Sequence, residues 1–333
     1  MEALQAHRRL VVDGVSVTAV WLMAELYTGS RFQRVWTDPN KVEQLMHAIA
    51  DIERDGLDPQ DYYLDRLTKL RAEVRTNPTV PRQVDLDILL TDALTRLAYN
   101  TFYGKVDPER VDRNINVAQI WRGPRGAEGV REFLASKSLY DKIESLKPTV
   151  PRYDRFRKAL ATYRRYEQAG GWGRIPKGKV LSVGRTDPRV PAIRHRLAAT
   201  EDLQTNLDNG STLYDAELEK AVHRFQGRHR LPKGNLGTKT IAAMNVPAKQ
   251  RIDQIRVNLE RARWYTRDIT PTRVVVNIAA FEIYYFKDGK LVWANEAQVG
   301  KTYTQTPLIA DRIEYLVLNP TWTVPPGVLE DSV

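Results

Sequence analysis

The sequence predicts an α+β multidomain protein, helical for most of its 333 residues and β-structured towards its end. Three observations carry that expectation. Apolar residues recur at helical spacing between recognisable caps over roughly the first 265 residues. Within that region, about 60 residues hold three short helical patterns, too few for more than a small shared core. From residue 272 the apolar period drops to two, around an Asp-Gly pair.

The elements follow in order. The opening "MEALQAHRRLVVDGVSVTAVWLMAELY" is faintly like a secretory leader. Asp13 interrupts its apolar run and Glu25 closes it, so it reads as a helix of the first domain. "DPNK" places an Asp cap before Pro39, and Val42, Leu45, Met46 and Ile49 follow on one helical face. Asp58-Pro59 opens a further short helix, and Leu86, Leu89, Leu90, Ala93, Leu94 and Leu97 form a broad stripe. The first 145 or so residues thus read as all-helical. A clear helix follows Pro151, with Tyr153, Phe156, Leu160 and Tyr163 as its stripe and Gly170-Gly171 as its stop. Its Tyr/Arg interleaving could suit nucleic acid, yet aromatics at this spacing more often face a core.

The compact unit begins with Asp187 as a cap and Pro188 at a first helical position. Its second helix carries Leu218, Ala221, Val222 and Phe225, and its third Ile241, Ala242 and Met244. Another helix brings Ile252, Ile255 and Leu259 to Trp264. Val274, Val276 and Ile278 then alternate, "IYYF" and "LVWA" flank Asp288-Gly289, and "IEYLVLNP" reads as one more strand, about four in all.

Composition narrows the chemistry. Cysteine is absent, which excludes disulfides, thiolate metal sites and a cysteine nucleophile within these residues. The net charge of +10 is uneven: residues 151–267 hold 25 Lys+Arg against 11 Asp+Glu. That balance suits an anionic partner or a solvated face. There is no run of 18 apolar residues, so no integral membrane segment is expected. The five histidines are scattered, and His223 and His229, six apart, read as polar-face residues of one helix rather than metal ligands. Glu217 with Glu219, and Asp85 with Asp87, read as caps and solvated faces. No phosphate-binding glycine loop and no nucleophile elbow occur, so neither metal nor cofactor is expected.

The run "AVHRFQGRHRLPKGNLGTKTIAAMNV" carries more. It resembles the three-helix peptidoglycan-binding domain at Phe225, Gln226, Leu231, Gly234, Gly237, Thr240 and Asn245. It departs from that pattern at Lys233, where Asp is usual, and at Arg230, where Gly often stands. The flanking stretches "RIDQIRVNLERARW" and "VVVNIAAFEIYYFKDGK…LVLNPTWTVP" resemble the large bacterial L,D-transpeptidases, and "VWTDP" and "DGLDPQDYYL" suit their scaffold.

The resemblance implies four segments. These are a helical scaffold (1–175), a peptidoglycan-binding module (176–248), a linker helix (249–271) and the front of a YkuD-type catalytic β-domain (272–333). It implies acyl transfer between peptidoglycan stem peptides through a cysteine thiolate, in the periplasm or cell envelope. That chemistry resides in His-Gly and Ser-x-Gly-Cys motifs, and this chain has neither. Asn319, Pro320, Trp322 and Pro325 match the segment flanking the substrate cleft, and the module motif reads as mostly structural. The expectation is a truncated member of the family, inactive as it stands. It takes peptidoglycan, not nucleic acid, as partner; the alternative is a non-catalytic peptidoglycan-binding protein.

Overall fold

A computed structural model of the chain describes residues 10–111, 115–116, 125–266, 269–301, 303 and 305–321. Chain contacts divide it into two compact units. The first comprises residues 1–106 and 119–269, the second 107–118 and 270–333.

The first unit opens with a miniature hairpin, β1 (Val11–Val12) and β2 (Val15–Ser16). Asp13 and Gly14 both take left-handed dihedrals, as a two-residue turn of this type requires. A helix is expected over this stretch; the Asp-Gly turn wins over the apolar run, and the helix α1 starts only at Val20 (Val20–Gly29). α2 (Pro39–Asp51) begins as expected, with the Asp38 carboxylate accepting from the Asn40 amide at 2.8 Å. Asp58 caps a short 3-10 turn in the same way, 2.9 Å from the Gln60 amide, and α3 (Leu64–Thr76) follows.

α4 (Val80–Tyr103) is the axis of the scaffold, and its leucine stripe is buried along its length. Asp87, read as solvated, is 2% exposed and accepts from Tyr27 Oη (2.7 Å), Val35 N (3.1 Å) and Trp36 N (3.0 Å). One turn on, Asp92 accepts from Thr18 N, Thr18 Oγ1, Ala19 N and Tyr63 Oη. These two carboxylates pin loop backbone to the central helix: each buried charge is met by several N–H and O–H donors, and the loop amides gain acceptors in return.

After α4 the chain leaves for the second unit, where α5 (Pro108–Val111) and β3 (Ile115–Asn116) lie. Back in the first unit, α6 (Gly126–Ala135) packs on α1 and α7 (Leu139–Glu144) on α2, completing one scaffold core. α8 (Pro151–Gln168) presents Tyr153, Phe156, Leu160 and Tyr163 to its partner helix, so that aromatic stripe is core.

The module holds α9 (Val190–Ala199), α10 (Ala216–Arg228) and α11 (Thr238–Met244), with its own core of Ile193, Leu197, Tyr214, Leu218, Phe225 and Met244. α9 starts two residues later than the Asp187 cap predicted, and the Asp187 carboxylate instead accepts from the Arg189 backbone and guanidinium (2.9 and 2.8 Å). α12 (Ala248–Tyr265), read as a linker, lies along α8 with Ile252, Leu259 and Ala262 in the shared cluster.

The second unit is an antiparallel sheet in the order β4 (Arg273–Asn277), β5 (Glu282–Lys287), β6 (Lys290–Glu296). Asp288 and Gly289, both left-handed, turn β5 into β6, with a bulge at Tyr285/Phe286. β7 (Leu308–Ile309) pairs in parallel with β3, and Ile115 is buried. The strand expected over "IEYLVLNP" is not formed: residues 311–320 carry no strand, and Tyr315, Leu316 and Leu318 are at least 77% exposed. Its β-propensity finds no neighbouring strand to pair with among the described residues.

Candidate functional site

The module motif converges on one turn. α10 ends in a Schellman arrangement: Leu231 N donates to Gln226 O (2.8 Å) and Arg230 N to Gly227 O (3.2 Å). Arg230 occupies the left-handed position (φ 53°) that glycine usually takes there. Gln226, 1% exposed, spans the loop that follows. Its amide nitrogen donates to Gly234 O and Thr240 Oγ1, both at 3.1 Å, and its oxygen accepts from Gly234 N at 3.1 Å. Phe225 is fully buried and Leu231 packs at the core's margin. Gly237 caps α11, and Thr240 lies inside it.

Asn245 closes the module from the other side. Its Oδ1 accepts from Ile175 N (2.8 Å) and its Nδ2 donates to Ile175 O (2.9 Å), clamping residues 172–186 as a strap across the helices. That strap bridges to the turn through Leu181 and Leu236, which exchange backbone hydrogen bonds at 3.0 and 3.1 Å. Gln226 and Asn245 therefore spend their polar atoms within the module, on its backbone and on the Thr240 hydroxyl. The strap and the turn that they position carry exposed residues at this surface of the module.

Behind this surface sits an arginine network that the sequence reading missed. Arg196 is 1% exposed, with its guanidinium carbon 3.7 Å from the Trp172 ring centroid. Its Nε donates to Met244 O (2.8 Å), and burial lowers its pKa to about 10, so it stays charged at neutral pH. Thr200 Oγ1 links it to Asp202, which also pairs with Arg228. Arg228 reaches Tyr163 Oη of α8 at 3.1 Å. The signal was present as arginines within an apolar helix, "IRHRL", but spacing alone does not reveal partners that lie in other elements, from Trp172 to Asp215 and Met244.

Of His223 and His229, read as polar-face residues of one helix, His223 lies within α10, whereas His229 sits just past its end and stacks on Phe225 with ring centroids 3.9 Å apart. Among the described residues, no three of His, Asp and Glu converge as a metal-ligand set. In the second unit, Asn319 is left-handed (φ 51°) and exposed, with Pro320 beside it. Trp322 and Pro325 lie outside the described residues.

Three family models match the chain in succession. A scaffold domain covers residues 22–160, a peptidoglycan-binding domain 186–244 and an L,D-transpeptidase catalytic domain of the YkuD type 271–331. This is the domain set and order of the large L,D-transpeptidase family. Comparison with curated proteins finds no match. The peptidoglycan-binding match spans all three module helices, and the L,D-transpeptidase match begins at the strand β4. The scaffold match runs through residues 107–118, so the α5–β3 excursion lies within the scaffold by sequence and in the sheet-bearing unit by contacts.

Proposed function

We propose that the chain is a cell-wall protein of L,D-transpeptidase type whose 333 residues hold peptidoglycan without carrying out acyl transfer themselves. The successive scaffold, peptidoglycan-binding and YkuD matches support the cell-wall assignment. The sequence supports the division of labour. Acyl transfer by this class needs a thiolate nucleophile and a base to activate it. The chain contains no cysteine and no His-Gly pair. Serine and threonine hydroxyls are weak substitutes without a hydrogen-bonded base. The place of action is then the cell envelope, outside the cytoplasm; no described helix is long and apolar enough to cross a membrane.

Two measurements test the proposal together. The purified chain is expected to co-sediment with isolated sacculi, above a control protein of similar charge and across a salt series. Mixed with tetrapeptide-bearing muropeptides, it is expected to release no D-alanine and to form no thioester or ester adduct by mass spectrometry. Failure to sediment would remove peptidoglycan binding. Turnover would show that another nucleophile serves.

A further inference from the structure

We infer that the module recognises the carboxylates of peptidoglycan stem peptides through a basic face made by the strap and the turn; this rests on the peptidoglycan-binding reading above. Two stretches of the sequence are free of acid, residues 168–186 and 231–252. The Leu181–Leu236 bridge zips these same two stretches together, and Val180 lies against Gly237. Lys177, Lys179 and Arg185 on the strap and Lys239 at the start of α11 are all exposed. Among the described residues none of these four meets a carboxylate. By contrast Arg189, also of this region, is buried and committed to Asp187 and to the Lys179 carbonyl.

The face therefore has fixed backbone and free charge. Asn245 and the Leu181–Leu236 bridge hold the strap, so the cations are presented without a folding cost on binding. Val180 and Val183, 60% and 46% exposed, lie between them and offer an apolar floor for a peptide's methyl and methylene groups. Stem peptides combine those features, with short aliphatic side chains and repeated free carboxylates. Exposed lysine–carboxylate contacts are individually weak and salt-sensitive, but a sacculus presents the carboxylates as an array.

The test uses the full chain in co-sedimentation with sacculi. One variant neutralises the face (K177Q/K179Q/R185Q/K239Q). A second removes the same charge from the scaffold and α8 (K69Q/K137Q/R152Q/K158Q). A third arm uses sacculi whose carboxyl groups have been converted to amides. Thermal melting checks that both variants are folded. Loss of four exposed contacts is expected to weaken binding by about tenfold, and amidated sacculi to weaken the unaltered chain as much. The scaffold variant is expected to stay within about twofold of the unaltered chain.

Unchanged affinity of the face variant, or undiminished binding to amidated sacculi, would overturn the inference while leaving peptidoglycan binding intact. An equal loss in the scaffold variant would also overturn it, since total charge would then suffice. No sedimentation of the unaltered chain would overturn both this inference and the proposed function.

Discussion

His229 stacks on Phe225 just past the end of α10, and its Nδ1 lies 2.9 Å from the Phe225 carbonyl. Burial, joined by the nearby Arg228 and Arg251 charges, lowers its pKa from 6.5 to about 4, against the opposing pull of the Phe225 carbonyl and, more weakly, of Asp202. The folded chain thus keeps the ring neutral where the unfolded chain would protonate it. Stability from this residue is complete above pH 6.5 and is lost as pH falls through the interval down to about 4. Melting temperatures across that interval are expected to fall less steeply in His229→Gln than in the unaltered chain. Parallel curves would refute the assignment. At this scale the sequence was partly legible. Phe225, Gln226 and Asn245 stood out as a motif, and so did the unusual Arg230. The depressed histidine did not, because its environment is built by Arg228 and by Arg251 of α12, whose approach no local pattern encodes.

Gly56 ends the 3-10 turn after α2 in the left-handed region (φ 77°), and α12 passes directly over it. A Cβ there would lie 3.2 Å from Arg256 Cγ, 3.3 Å from Arg256 Cα and 3.3 Å from Leu259 Cδ1. Arg256 Nε also donates to Gly56 O at 2.9 Å. Gly56→Ala combines a strained dihedral with overlap against backbone, and should cost about 2 kcal/mol in denaturant unfolding. A loss below about 0.5 kcal/mol would mean that α12 is not fixed at this point. The helices themselves were legible, since the cap at Asp38, the Asp58-Pro59 opening and the stripe of α4 are short-range signals. The Asp288-Gly289 hairpin was legible for the same reason. The β3–β7 pair was not: Ile115 and Leu308 are joined across the whole of the intervening scaffold and module sequence. Nor was the absence of a strand over residues 313–320, since propensity cannot say whether a partner is present.

Across the whole molecule the two units differ in how much they bury. The first has continuous cores, whereas in the second β6 is exposed on both faces and Tyr315, Leu316 and Leu318 are open to solvent. Limited proteolysis is therefore expected to cut first within residues 311–318, at Arg312 with trypsin or Tyr315 with chymotrypsin. First cleavage within α4 or α10 would contradict that order. The division of the fold also differs from the division of the sequence. The chain passes between the units after residues 106, 118 and 269, so three covalent tethers join them where a simple tandem arrangement would have one. Tension applied to the sheet would be shared among those tethers instead of falling on α12 alone. A fragment cut at residue 270 would lose Ile115 and the strand beside Leu308. For genetic dissection, the separable piece is then not the catalytic-type segment by itself but that segment together with an arm borrowed from the scaffold.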